Sequence, residues 1–134
     1  MLEKLDHIGI AVKDIDQAIK LYRDVFGIEP NLVYESSYTK AKIAFIPIGD
    51  VRIELIQPSS PESVMGKFLE KKGEGIHHIS YKVKDVDKCL IELETKGIQL
   101  IDKKSRKVRD NEKVAFLNPK STNGVLVELI QEDW

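Results

Sequence analysis

Two histidines and two glutamates in this 134-residue sequence stand out by type and by place. His7 and His78 open runs of branched apolar residues, His7-Ile-Gly-Ile-Ala-Val12 and His78-Ile-Ser-Tyr-Lys-Val83. Glu54 and Glu128 sit in the middle of Val51-Arg-Ile-Glu-Leu-Ile-Gln57 and Val125-Leu-Val-Glu-Leu-Ile-Gln131, segments rich in strand-forming residues where Glu is disfavoured. Glu128 shares its side of that strand with Leu126 and Ile130, and a carboxylate on an apolar surface calls for a cation or a metal. Two imidazoles and two carboxylates leave room for waters on a six-coordinate divalent ion. With no thiolate among them the set does not make a closed structural zinc site, and its mixed N/O donors fit Co, Ni, Mn, Fe or Zn. Taken singly, each residue has a plainer reading, a hydrogen-bonded or surface His and a solvated edge-strand Glu.

What joins the four is an internal repeat. The two His segments are related by a shift of 78 − 7 = 71, which also carries Ile15, Ala18, Ile19 and Tyr22 onto Val86, Cys89, Leu90 and Leu93. The two Glu segments follow at 128 − 54 = 74. Each copy begins with a strand and continues with Asp14 or Asp85 at a helix N-cap position. A helix of i, i+3, i+4, i+7 apolar spacing follows, ended by Gly27 or Gly97. Further strands are expected at Asn31–Tyr34, Ala41–Ile46 and Val51–Ile56 in copy one, and at Gln99–Asp102, Lys113–Leu117 and Val125–Ile130 in copy two. Between the copies, Ser59-Ser-Pro-Glu62 reads as a helix start and Gly73 as its end, while the polar run Lys103–Lys113 reads as an exposed loop.

The expected fold is therefore α+β, with two tandem βαβββ modules forming a curved mixed sheet around a metal-binding cleft. One domain covers residues 1–134: module one at about 5–57, a linker helix at about 60–73 and module two at about 76–131. Alternation places His7, Gly9 and Ala11 on one strand face and His78, Ser80 and Lys82 on the equivalent one, so the histidine faces carry small or polar neighbours while the opposite faces are bulky. If the modules pair about a pseudo-twofold axis, His7, Glu54, His78 and Glu128 converge on one point. His77 has the opposite parity and Asp6 as its counterpart, which makes it structural.

Composition narrows the setting. Lys and Arg number 21 against 22 Asp and Glu, a net charge of −1, which excludes the broad basic footprint of a general nucleic-acid binder. No run approaches the roughly 18 apolar residues of a membrane span, and the first residues lack the pattern of a secretory signal. A single cysteine, Cys89, suits a reducing cytoplasm.

At the same residues the chain resembles the vicinal oxygen chelate superfamily, which includes glyoxalase I, extradiol dioxygenases and fosfomycin-resistance proteins. Within it the likeness is greatest to the methylmalonyl-CoA epimerases, carried by Asp6-His-Ile-Gly-Ile-Ala-Val12, Phe68-Leu-Glu-Lys-Lys-Gly-Glu-Gly-Ile-His-His78 and Pro119-Lys-Ser-Thr-Asn-Gly-Val-Leu-Val-Glu-Leu129. The resemblance implies metal-ligand positions at His7, His78 and Glu128, with Glu54 at the fourth, often Gln in the family. It implies interconversion of (R)- and (S)-methylmalonyl-CoA through a metal-stabilised enolate, with Glu128 both binding the metal and moving the proton, and a homodimer acting on an acyl-CoA or other thioester. Some members carry a second Glu where this chain has Lys42, with Glu35 a nearby alternative. The family's Gly-rich turn and His-Pro-Lys are replaced here by Lys107-Val-Arg-Asp-Asn-Glu-Lys113 and Asn118-Pro-Lys120. Two other activities share the pattern: a glyoxalase I-type lactoylglutathione lyase, and a metal-free small-molecule binder like the bleomycin-resistance branch.

Overall fold

A computed structural model describes residues 1–132. The chain divides into two compact units, one formed by His7–His77 and the other by Met1–Asp6 with the stretch from His78 onward. The boundaries fall inside two strands, β1 (Lys4–Ala11) and β5 (Gly75–Lys82).

The unit His7–His77 contains α1 (Ile15–Asp24), β2 (Leu32–Ser36), β3 (Ala41–Ile48), β4 (Val51–Pro58) and α2 (Val64–Lys72). Its strands run in the order β2-β3-β4-β1, with β1 parallel to β4 and the other pairs antiparallel. The other unit holds α3 (Val86–Thr95), β6 (Arg106–Arg109), β7 (Glu112–Leu117), a 3-10 turn at Pro119–Ser121 and β8 (Val127–Glu132). Here the order is β5-β8-β7-β6, again with one parallel pair, β5 and β8. The α+β class and the repeated βαβββ element order are thus as the sequence predicts. Among the described residues no helix is long and apolar enough to cross a membrane.

Local chemistry explains why both copies fold alike. Asp14 accepts from the N–H groups of Asp16 and Gln17, and Asp85 from that of Lys88, satisfying the free donors of the first helical turn. The closing glycines take positive φ, 72° at Gly27 and 86° at Gly97, where a side chain would be strained. The last residue of each Glu segment ties strand to helix: Gln57 Oε1 accepts from Ile15 N–H at 2.9 Å, and Gln131 Oε1 from Val86 N–H at 3.0 Å. Each helix packs on the bulky strand face. Val12, Ile15, Ala44, Ile46 and Leu55 make that core in one unit, and Val83, Val86, Leu90, Ala115, Leu117 and Leu129 in the other.

Three expectations need correction. The linker helix begins at Val64 rather than near residue 60: its N-cap is Ser63, which accepts from Gly66 N–H, while Ser60 accepts from Glu62 N–H in a turn ahead of it. Gln99–Asp102 forms no regular strand: its backbone pairs only briefly, Gln99 O accepting from Asn118 N–H and Ile101 N–H donating to Phe116 O. Leu100 makes only an isolated bridge to Leu117, and the Asp102 carboxylate instead accepts from Phe116 N–H at 2.8 Å. The strand is β6, inside the run Lys103–Lys113 expected as a loop, turned onto β7 at Asp110-Asn111.

Asp87 in the first turn of α3 clamps the connection that leads into β6, accepting from Ser105 N–H at 2.8 Å and from its hydroxyl at 2.9 Å. These bonds, the backbone one foremost, hold the Asp87 carboxyl below its ordinary pKa. A folded-state pKa below the unfolded one means the clamp contributes fully above the ordinary carboxylate range and is lost as pH falls through the depressed value. We therefore expect Asp87→Ala to cost on the order of 1 kcal/mol near neutral pH and progressively less in acid, read from urea midpoints of both proteins across pH. Equal losses at all pH values would contradict this.

Candidate metal centre

In the unit His7–His77, parallel pairing sets Gly9 beside Glu54, and antiparallel pairing sets Phe45 on the other side of Glu54. His7 and Glu54 stand on the face away from α1, with His7 Nε2 at 3.4 Å from a Glu54 carboxylate oxygen. The Phe45 ring meets His7 edge-on at 5.5 Å between centroids, and the Arg52 guanidinium lies over Phe45 at 4.0 Å.

The other unit repeats the construction. Glu128 lies between Ser80 and Phe116 in register. His78 Nε2 is 3.8 Å from a Glu128 oxygen, on the face opposite α3. Phe116 meets His78 edge-on at 5.6 Å, and Arg106, ion-paired to Asp102, lies 5.6 Å over that ring. A buried His, a buried Glu and an aromatic wall thus recur at the same places in each unit, while the Arg over the ring comes from β4 in one and from β6 in the other.

The donor pairs suit an ion better than they suit each other. All four side chains are buried, with His7 2%, Glu54 8%, His78 3% and Glu128 6% exposed. Their separations exceed the ~2.7–2.9 Å of a charge-assisted hydrogen bond. Two donors each about 2.1 Å from a shared ion, at angles of roughly 90–110°, are themselves about 3.0–3.4 Å apart, and the His7–Glu54 pair meets that spacing. Imidazole nitrogen with carboxylate oxygen is a donor set for a borderline or hard divalent cation.

Of the other residues the sequence singles out, His77 is structural: it is half-buried, its ring edge-on to Phe68 of α2 at 4.9 Å. Lys42 and Glu35 are paired in register and exposed on the face that carries α1, and Glu35 accepts from the Ser59 hydroxyl. Neither reaches the face of His7 and Glu54. The two phenylalanines are features that His and Glu spacing did not disclose, although 116 − 45 = 71 repeats the same shift.

Comparison with known proteins gives a consistent picture. A family model described as glyoxalase/bleomycin resistance protein/dioxygenase superfamily matches residues 6–116. The chain is 40% identical to the uncharacterized protein YqjC of Bacillus subtilis (strain 168) over 130 residues, 97% of this chain and 93% of that one. It is 35% identical to the ethylmalonyl-CoA/methylmalonyl-CoA epimerase of Cereibacter sphaeroides, covering 98% of this chain and 99% of that one. Among solved structures, a variant of the Streptomyces coelicolor methylmalonyl-CoA epimerase in complex with 2-nitronate-propionyl-CoA superposes with a TM-score of 0.92 at 32% identity. That match covers 98% of this chain and 96% of the other.

Proposed function

The chain belongs to the glyoxalase/bleomycin resistance protein/dioxygenase superfamily, and from that membership we propose that it is a divalent-metal-dependent epimerase that interconverts (R)- and (S)-methylmalonyl-CoA. The observation that carries the reading is the duplicated pair of buried His and Glu side chains, one pair in each unit. His7, Glu54 and His78, all potential metal ligands, would hold the ion together with Glu128. Relatives that act on or bind acyl-CoA thioesters support the substrate class.

When bound, such an ion supplies Lewis-acid polarisation of the thioester carbonyl, which acidifies the neighbouring C2–H. The chain supplies the rest. His7 and His78 would offer Nε2 to the ion, each packed edge-on against a phenylalanine ring. Glu128 would act as the base that takes the C2 proton. Epimerisation also requires a proton returned to the opposite face of C2; Lys42 and Glu35 lie on the helix-bearing face, away from that of His7 and Glu54. A cytoplasmic homodimer remains part of this proposal, on the strength of the lone, buried Cys89 and of the family resemblance.

The test is exchange in deuterated water. Protein loaded with Co2+ or Ni2+ should place deuterium at C2 of methylmalonyl-CoA, followed by NMR or mass spectrometry. The hemithioacetal of methylglyoxal should be left unchanged. Absence of exchange with every divalent metal tried overturns the epimerase reading, and turnover of the hemithioacetal replaces it with the glyoxalase I-type reaction.

A further inference from the structure

Ser80 carries a side chain that the site as described does not use. It lies two residues beyond His78 on β5, hence on the same strand face, and is paired in register with Glu128 on β8. The approach of His78 to Glu128 fixes that face as the one Glu128 occupies. Ser80 is 0% exposed, and its hydroxyl oxygen is buried with no hydrogen-bond partner. A buried hydroxyl without a partner is a standing cost to the fold, since it has given up water and gained nothing. The hydroxyl is closed off from solvent, and the side chain set beside it in register is that of Glu128. The counterpart position beside Glu54 is Gly9, which has no side chain to offer. The hydroxyl therefore accompanies only one of the two glutamates, the one to which proton transfer is assigned.

We propose that Ser80 is a positioning residue for Glu128, its hydroxyl donating a hydrogen bond to the Glu128 carboxylate when that carboxylate engages a metal ion. The inference rests on the metal-site reading above and deepens it. One carboxylate oxygen would face the ion while the other is steadied by Ser80, an arrangement that fixes the angle from which the carboxylate meets the substrate.

The test is Ser80→Ala in the full chain, stripped of metal and then titrated with Co2+ by calorimetry, with unfolding midpoints taken on the stripped proteins. Removing an unpartnered hydroxyl should raise the metal-free midpoint by about 2–5 °C, while removing a donor to a charged ligand should weaken Co2+ binding about tenfold. Deuterium exchange at C2 should fall in kcat more than in KM. A merely structural serine would not move stability and affinity in opposite directions. Unchanged Co2+ affinity, or a lower metal-free midpoint, overturns the proposal. Wild-type protein that binds Co2+ without exchanging C2–H removes the epimerase reading alone, and the affinity of Ser80→Ala still decides the role of Ser80. Wild-type protein that binds no Co2+ overturns both.

Discussion

Glu128→Gln will lower C2 proton exchange about a thousandfold or more while the protein stays folded and loses only part of its metal affinity. The substitution keeps the side chain's volume and one oxygen donor, so the buried place between Ser80 and Phe116 remains filled. What disappears is the capacity to accept a proton, because a carboxamide is not a base at any pH the fold tolerates. The remaining oxygen is a neutral and weaker ligand, which accounts for the partial loss of metal. Glu54→Gln makes the informative contrast. It removes the same charge from the equivalent place in the other unit, yet should leave exchange within about tenfold, because Glu54 has no proton to move. Equal losses in the two variants would show that charge alone matters and that no division of labour exists between them. The readouts are deuterium incorporation at C2 and metal content measured on the same preparations.

His7→Ala will abolish stoichiometric metal binding, with an affinity loss of at least about 100-fold, and exchange will vanish with it. The imidazole is 2% exposed and wedged between the Glu54 carboxylate and the Phe45 ring, so its loss removes a ligand and leaves the carboxylate buried without its neighbour. A stability cost of roughly 1–3 kcal/mol is expected even in the absence of metal. His78→Ala should behave alike, since Glu128 and Phe116 surround it in the same way. His77→Ala is the control: its ring packs on Phe68, and its removal should leave metal content intact. Metal retained in full by both His7→Ala and His78→Ala would break the site.

The parts of this molecule that the sequence disclosed are those specified locally and stated twice. Asp14 and Asp85 cap their helices as read, because a short acceptor ahead of an amphipathic run has little else to do. The His and Glu parity was legible because strands alternate regardless of context. Where a tertiary contact outweighs local preference, reading by pattern failed. Gln99–Asp102 has strand-forming residues, but Asp102 is captured by Phe116 N–H and Arg106, and the strand forms instead from the charged stretch Arg106–Arg109, which only its pairing with β7 reveals. The Ser59-Ser-Pro-Glu62 start signal is equally real, yet those residues satisfy one another in a turn and leave the cap to Ser63. Lys42 could not be placed from its neighbours in sequence. Its register with Glu35 puts it on the face that carries α1, away from the face of His7 and Glu54. The state of Ser80 depends on what surrounds a hydroxyl in three dimensions, which no spacing encodes.

The proposed epimerase requires the two His–Glu pairs to serve one divalent ion, and ion stoichiometry tests that proposal most directly. Titration of stripped wild-type protein with Co2+, by calorimetry and by the visible absorption of the bound ion, should saturate at one ion per chain, with one affinity and a spectrum of mixed nitrogen and oxygen ligation. Saturation at two ions per chain, each lost separately in His7→Ala and His78→Ala, would mean that each pair is a site of its own. No saturable binding at all would remove the metal from the molecule and the proposed epimerase with it.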